Sequence, residues 1–586
     1  QYTLKKFSYY TNMKVPILIP NIFDHPFTYD SNSLNLDKGN YVIVPFGSTK
    51  ITGIVWDKFE KAEKKFLIKK IEKKLDVPKM QGNMIDFLNW FSIYNIVPIG
   101  MCIRLTLLSK GAVENIPENS FNQYQKLNRN LKYKLNSEQE KCLSEIKKKG
   151  NKFNVHVLDG VTGSGKTLVY FNRLREIINR GYQALIMLPE IGLTTQFKKR
   201  FIDFFGFEPA VWHSATSKKN KKIIWRGIVE KKIRVVVGAR SSLFLPFAKL
   251  GIIIVDEEHD ASYKQDEGII YNARDMAVSR GSFEKIPVLL ITSIPSVETF
   301  NNIINKKYSI SKLKKRYQDA SMPNFEIINL NNKKISNKSW LANETIEKVN
   351  YHLQKGDQVL FFLNRRGFAP FVICKKCYTK FLCPNCSVNL NYHKSKNFLL
   401  CHYCGYKTKL NKICKDNKPC EFIMCGPGVE RIAEELEQRY PDKKIRIFSS
   451  DTLNKKKSSE DLIEKIENKK IDILVGTQLI SKGFHFSKLN CIVVVDADFS
   501  SHGYDLRSAE KNIQLYHQLS GRAGREGLSS TIYFQTYTPN DETLLNISKK
   551  DPHKFLLNEI ELRKRNKLPP FCRFISVIIS GKKEKQ

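Results

Sequence analysis

The sequence predicts an α/β fold: two tandem parallel-sheet lobes, a small β-rich domain ahead of them, and a metal-binding insertion in the second lobe. Three observations carry this. Apolar runs alternate with helical patterns, first over about 150–310 and again after 355. Residues 160–167 read Gly-Val-Thr-Gly-Ser-Gly-Lys-Thr, between the apolar run Val155–Leu158 and a helical pattern from Leu168 to Ile178. Eight of the 13 cysteines fall between Cys374 and Cys420.

The first 108 residues carry short strand signals, at Val15–Pro20, Tyr41–Val44 and Ile51–Trp56, closed by a helical segment from Met84 to Tyr94. Residues 109–134 are polar and read as a linker. Residues 135–315 form the first lobe, opening on a helix capped by Asn136 or Ser137. Its strands are expected at Val155–Leu158, Ala184–Leu188, Arg234–Val237, Gly251–Val255 and Val288–Ile291. The second lobe starts over 316–370, is interrupted by the cysteine insertion at 371–420, and continues over 421–548. Its strands are expected at Gln358–Leu363, Glu421–Met424, Ile445–Phe448, Ile471–Val475, Cys491–Val495 and Thr531–Gln535. Residues 549–586 form a short carboxy-terminal region with a charged tail.

The motif at 160–167 is a complete phosphate loop. In a strand–loop–helix setting its backbone N–H groups, with Gly160, Gly163 and Gly165, cradle phosphate oxygens. Lys166 reaches the β- and γ-phosphates, and the Thr167 hydroxyl ligates Mg²⁺. Asp256-Glu257-Glu258-His259 ends the run Gly251–Val255. There Asp256 can hold the metal and Glu257 can orient or deprotonate the attacking water. In the second lobe Gly476 follows a strand, and Gln518 to Arg525 closes a helical pattern. Gly476 and Gln518 are assigned to the nucleotide site. Arg522 and Arg525 are planar cations suited to a γ-phosphate held by the other lobe. A surface salt-bridge pair is the alternative, and the flanking glycines argue against it. The set describes an NTP-hydrolysing machine.

Lys plus Arg number 97 against 58 Asp plus Glu, a formal charge of +39. That excess suits a polyanionic partner, because neutralising phosphates releases condensed counterions. A nucleotide-composition bias that spreads lysines over solvated faces is the other reading. No run of eighteen apolar residues appears, so no membrane span is expected. No signal-peptide pattern opens the chain, which begins with Gln1. A cytoplasmic, nucleoid-associated bacterial protein is expected, and in that compartment clustered cysteines favour metal over disulfides.

The ordered motifs resemble those of a superfamily 2 helicase of the DEEH type, with RecA-like lobes, and the fuller strings resemble the PriA-type primosomal helicases. The likeness runs through 185–194, 237–242 (Val-Gly-Ala-Arg-Ser-Ser) and 256–265, then 362–370 (Phe-Leu-Asn-Arg-Arg-Gly-Phe-Ala-Pro). It continues through 475–478, Lys482-Gly483, 521–525 and 568–571. The resemblance implies an ATP-dependent helicase moving 3′ to 5′, which recognises stalled or repaired replication forks and promotes primosome assembly and replication restart. It implies forked and single-stranded DNA, primosome proteins and single-stranded-DNA-binding protein as partners, and a monomer. Gln139 would contact the adenine edge, and His259 would couple nucleotide state to DNA. Residues 263–271 would form an aromatic-rich loop sensing single-stranded DNA. Tyr263 and Tyr271 would stack on bases there while Lys264 and Arg274 meet phosphates. An ordinary loop with buried tyrosines is the alternative. By the same likeness Phe23, Asp24, Gly47 and Lys69 would bind the 3′ terminus of a nascent strand. A non-catalytic fork-binding scaffold is the alternative to the enzyme.

Three consecutive C-x2-C knuckles, Cys374/Cys377, Cys383/Cys386 and Cys401/Cys404, favour zinc over an iron–sulfur cluster. The family pattern implies two interleaved ribbons. Cys383, Cys386, Cys401 and Cys404 would form one site, and Cys374 and Cys377 would pair with a fourth knuckle. That knuckle starts at Cys414, but Asn417 stands where its second cysteine belongs. Cys420 serves instead at a wider spacing; failing it, Cys425 or a non-cysteine ligand does. Three further departures stand out. Residues 109–134 are too short for the family's winged helix. Thr292-Ser293-Ile294 has Ile294 where a hydroxyl is expected. The chain stops soon after Pro570, so most of the carboxy-terminal domain is expected to be missing. A trimmed, still catalytic version from a reduced genome is the resulting expectation.

Overall fold

The computed structural model describes residues 14–57, 68–107, 116–125, 133–189, 195–316, 322–331, 339–363, 371–374, 384, 390–393, 398–400, 406–409, 422–425, 429–448, 462, 464–466, 468–477, 480, 486, 488–497, 507–524, 530–536, 539–548 and 551–574. The chain divides into two compact units. One comprises 1–160, 165–292 and 302–313; the other comprises 161–164, 293–301 and 314–586.

In the first unit, β1 (Lys14–Leu18), β2 (Phe27–Asp30), β3 (Tyr41–Phe46), β4 (Thr49–Val55) and β5 (Lys73–Lys74) form an antiparallel sheet, order β2-β1-β4-β3-β5. Two helices follow, α1 (Gly82–Asn95) and α2 (Ile99–Thr106). Helix α1 buries Met84, Phe87, Leu88 and Phe91 on one side, the 3.6-residue spacing of a core-facing helix.

The parallel lobe begins at α3 (Ser137–Lys148), where Asn136 and Gln139 form a reciprocal capping box. Then come β6 (Val155–Gly160), α4 (Lys166–Asn179), β7 (Gln183–Met187), α5 (Thr195–Phe205), β8 (Ala210–Trp212), α6 (Lys218–Val229), β9 (Val235–Gly238) and β10 (Leu250–Val255). A hairpin, β11 (Lys264–Gln265) and β12 (Tyr271–Asn272), leads to α7 (Ala273–Glu284), β13 (Val288–Thr292), α8 (Val297–Ile304) and β14 (Ser309–Leu313). The seven-stranded order is β14-β6-β13-β10-β7-β9-β8, with every pairing parallel. β6, β7, β9 and β10 are buried along their whole length, as a parallel sheet covered on both faces requires.

The β-rich domain and this lobe share one apolar core. Tyr41 packs edge-on against Trp225, whose indole N–H donates to the Thr106 carbonyl at 2.8 Å. Phe87 and Phe91 of α1 both lie on Phe244. The linker contributes a 3₁₀ turn, Glu118–Tyr124, that buries Phe121 and Tyr124. Its Gln123 carbonyl accepts the Glu208 N–H at 2.9 Å.

The second unit holds β15 (Asn324–Asn329), α9 (Asn343–Gln354), β16 (Gln358–Phe362), β17 (Phe371–Cys374), β18 (Asn391–His393), β19 (Phe398–Leu400), β20 (Lys407–Lys409) and β21 (Phe422–Cys425). It continues with α10 (Val429–Arg439), β22 (Ile445–Phe448), β23 (Ile473–Gly476), β24 (Leu489–Val494), α11 (Ser508–Ser520), β25 (Thr531–Thr536), α12 (Glu542–Ser548) and α13 (Pro552–Arg565). Its parallel sheet runs β15-β25-β24-β16-β23-β22. A separate antiparallel sheet, β20-β19-β18-β17-β21, holds the insertion. The expected strand at Glu421–Met424 therefore belongs elsewhere than anticipated. As β21 it pairs antiparallel with β17, Cys374 opposite Phe422, so the chain enters and leaves the insertion on neighbouring strands. Among the described residues no helix is long and apolar enough to cross a membrane.

One buried polar chain crosses the edge of the first lobe. Ser311 on β14 donates to Glu145 of α3, so His156 of β6 donates from Nε2 to Ser311 (2.9 Å). Its Nδ1 then accepts from Ser309 (2.8 Å). Burial opposes the imidazolium and brings His156 from 6.5 down to about 4, against a smaller upward pull from Glu145. Below 6.5 the unfolded chain takes a proton that the fold refuses, so stability falls as pH drops from 6.5 to about 4. At about 1.4 kcal/mol per pH unit, the loss is roughly 3 kcal/mol. Denaturant unfolding across that range should show it, and His156→Gln, which keeps a donor and an acceptor, should flatten the dependence.

Candidate nucleotide and DNA sites

The phosphate loop leaves β6 and enters α4 through two left-handed glycines, Gly163 (φ 88°) and Gly165 (φ 79°). Gly165 has a second constraint: a Cβ there would lie 2.3 Å from the Gln139 amide nitrogen. Gln139 is fully buried and its side-chain carbonyl accepts the Asn136 N–H at 3.1 Å, so its amide lies against the loop. Lys166 is buried and donates to the Gly160 carbonyl at 2.6 Å. A loop lysine resting on a backbone carbonyl of its own loop is a donor that a phosphate oxygen can take over. The described loop thus fits a nucleotide phosphate chain.

β10 delivers Asp256 beside this loop. Its N–H donates to the Met187 carbonyl at 2.9 Å. Its Oδ2 accepts the Tyr170 hydroxyl at 3.0 Å, and its Oδ1 accepts the Glu257 N–H at 3.0 Å. Burial, and then the neighbouring Glu257 charge, push the carboxyl up to about 7. Lys166 and the two hydrogen bonds pull the other way. A carboxylate so desolvated favours a divalent cation, which restores its charge balance.

Glu257 has a left-handed backbone, φ 49°, which is costly for a residue with a Cβ and is tolerated where surroundings over-determine it. Its carboxylate lies 3.5 Å from His259 Nε2, while His259 Nδ1 is 2.8 Å from the Thr292 hydroxyl. His259 therefore stands between the carboxylate assigned to water and the end of β13. Glu258 is buried and paired with Arg274 at 3.2 Å.

That pairing bears on the aromatic loop. Tyr263 is 1% exposed and donates its one hydroxyl proton to the Asp256 carbonyl (2.6 Å), with the Met187 carbonyl 3.0 Å away. Tyr271 is 4% exposed, with its ring against Phe91 and Phe244. Neither ring presents a face to a base in this structure, and the Arg274 guanidinium is turned inward to Glu258. The short hairpin points Tyr263 and Tyr271 to the core and leaves Lys264 and Ile270 outside. Lys264 pairs with Asp266 at 3.2 Å.

In the β-rich domain Gly47 makes the β3–β4 turn in a left-handed conformation (φ 60°), and the Lys69 amine reaches its carbonyl at 3.4 Å. Lys69 also accepts the Asp30 N–H through its own carbonyl, tying it to β2. Phe46, which precedes Gly47, packs edge-on against Phe27 at 5.5 Å between ring centres. Phe23 lies one ring further out, 5.4 Å from Phe27 and partly exposed, and Asp24 is exposed beside it. Sequence reasoning missed Phe27, whose place at the head of β2 was its signal. It also missed Tyr170, one helical turn beyond Thr167.

In the second unit Gly476 ends β23, with a Cβ there 3.3 Å from Ile480 and from the Phe448 carbonyl. Gln518 is buried on α11, and Arg522 lies in the turn that follows, its N–H on the Leu519 carbonyl at 2.8 Å. Arg525 lies outside the described residues, as do Cys377, Cys383, Cys386, Cys401, Cys404, Cys414 and Cys420. Cys374 is described only by its backbone, on β17.

Comparison with known proteins matches four family models in order along the chain. A 3′ DNA-binding domain covers 14–107, and a DEAD/DEAH box helicase covers 136–300. A PriA DNA helicase Cys-rich region covers 383–409, and a helicase conserved C-terminal domain covers 406–527. The replication restart protein PriA of Rickettsia conorii is 42% identical over 571 residues, 97% of this chain and 87% of the relative. The replication restart protein PriA of Bacillus subtilis is 35% identical over 449 residues, 76% and 56% of the two chains. That of Haemophilus influenzae is 36% identical over 473 residues, 79% and 64%.

The placement of Tyr271 separates packing from DNA contact. Its hydroxyl has no hydrogen-bond partner among the described residues, so Tyr271→Phe should leave stability nearly unchanged. Tyr271→Ala should cost about 3–5 kcal/mol, as other large-to-small aromatic truncations do. Chemical denaturation of both variants checks this.

Proposed function

The chain belongs to the PriA family of replication-restart helicases, and from that premise we propose that it hydrolyses ATP to unwind DNA 3′ to 5′ at stalled or repaired forks and promotes primosome assembly. The observation that carries the enzymatic part is the arrangement around Asp256. A partly buried carboxylate stands beside a phosphate-loop lysine, and a second carboxylate is linked through a histidine to the next strand.

In this reading Gly160, Gly163, Gly165 and Lys166 hold the phosphates, with Gly476 and Gln518 also assigned to the nucleotide. Gln139 meets the adenine. Thr167 and Asp256 hold Mg²⁺, which when bound spreads the negative charge of the transferring phosphoryl group. Glu257 takes the water proton. His259 passes the state of Glu257 to Thr292 and onward along β13. Arg522 and Arg525 meet the γ-phosphate. Ile294 supplies no hydroxyl, so coupling runs through Thr292 rather than through that position.

For DNA, Gly47, Lys69 and Phe27 form the inner part of the 3′-end pocket, with Phe23 and Asp24 at its rim. Tyr263, Tyr271 and Arg274 act from within the fold, and Lys264 meets phosphate. The family's Cys-rich region implies zinc. Two zinc ions per chain are proposed, the second completed by Cys414 and Cys420. The partners are forked and single-stranded DNA, primosome proteins and single-stranded-DNA-binding protein, and the working form is a cytoplasmic monomer at the nucleoid.

The test is ATP turnover on forked DNA. Forks with a free 3′ end should stimulate hydrolysis, Lys166→Ala should reduce it at least about 100-fold, and Phe27→Ala should erase the preference for the free end. Zinc measured on the same sample should give two per chain. Absence of turnover in the wild-type chain on any forked DNA overturns the enzymatic reading.

A further inference from the structure

Tyr170 is a fully buried phenol that no motif accounts for. It lies on α4, three residues beyond Thr167, so the two side chains share one face of the helix. Its hydroxyl donates to Asp256 Oδ2 at 3.0 Å. The phenol's one proton therefore goes to the carboxylate. Tyr170 thus ties α4, the helix that carries Thr167 at its start, to Asp256 at the end of β10. Thr167 and Asp256 are the groups assigned to the metal.

A tyrosine whose only task was to fill the core would not need that oxygen. Phe171, next to it, fills its site with a bare ring among Phe197, Phe201, Phe204 and Phe205. With Oδ2 tied to Tyr170 and Oδ1 to the Glu257 N–H, Asp256 has no alternative rotamer that keeps its partners. Each oxygen retains a second lone pair for a cation or a cation-bound water.

We propose that Tyr170 is a positioning residue that holds Thr167 and Asp256 in register for the divalent cation of the bound nucleotide. The proposal rests on the reading of those two residues as cation ligands. Hydrogen-bond partners of metal ligands typically contribute about 10–100-fold to metal affinity.

The test uses the full chain, ADP, and Mn²⁺ as a paramagnetic stand-in for Mg²⁺. Mn²⁺ binding in the presence of ADP is followed by electron paramagnetic resonance. ADP binding without metal is measured on the same preparation. Tyr170→Phe keeps the ring and removes only the hydroxyl. The expected result is at least about tenfold weaker Mn²⁺ binding, with metal-free ADP affinity unchanged. Wild-type Mn²⁺ affinity in the variant overturns the proposal. So does an equal loss of ADP binding with and without metal, which assigns Tyr170 to packing. If ADP fails to enhance Mn²⁺ binding even in the wild-type chain, the ligand reading of Thr167 and Asp256 fails, and this proposal with it.

Discussion

A partly buried carboxylate at the end of a parallel strand is the constraint around which the first lobe is arranged. Asp256 loses part of its hydration because β10 lies between β13 and β7, in a sheet covered on both faces. Such a charge is tolerated only where donors and a countercharge surround it. Tyr170 from α4, the Glu257 amide and Lys166 from the phosphate loop supply them. The loop, the helix behind it and the strand beside it are therefore held to one another by the same unfavourable charge. In the proposed reading a bound cation would relieve that charge and make the site responsive to its ligand.

The same residue connects outward. The Asp256 carbonyl accepts the Tyr263 hydroxyl, and Tyr263 opens the hairpin whose far strand carries Tyr271. The Tyr271 ring packs on Phe91 of α1 in the β-rich domain. A short series of buried contacts therefore runs from the domain matched by the 3′ DNA-binding model to the main chain of Asp256. Buried rings of this kind transmit displacement because dense packing leaves them few alternative positions. That gives the aromatic loop a structural place in the helicase without exposed rings.

Much of the architecture was legible because parallel strands covered on both faces leave continuous runs of Val, Ile and Leu. Val155–Leu158, Gly251–Val255 and Val288–Ile291 were read as strands on that basis, and each lies on one. β8, β14 and β15 escaped notice, the first by being three residues long, the other two because polar residues interrupt their apolar ones. The run at Glu421–Met424 looked like its parallel counterparts because an apolar segment does not reveal its pairing direction. Side-chain direction was the least legible feature. Tyr263 and Tyr271 have the same composition signature whether they face a base or a core, and only the hairpin decides. Phe23 and Phe27 are equally aromatic, and the start of β2, rather than residue type, puts Phe27 beside the Gly47 turn. Tyr170 was hidden in an ordinary helical pattern, since its role depends on a strand some 86 residues away.

The measurement that bears most directly on the central constraint is the linkage between cation and nucleotide at Asp256. ADP affinity should be determined by titration calorimetry, with and without Mg²⁺, for the wild-type chain and for Asp256→Asn. If Asp256 is a desolvated carboxylate awaiting a cation, Mg²⁺ will tighten ADP binding in the wild type and leave the asparagine variant unaffected. Full Mg²⁺ enhancement in Asp256→Asn would contradict the account.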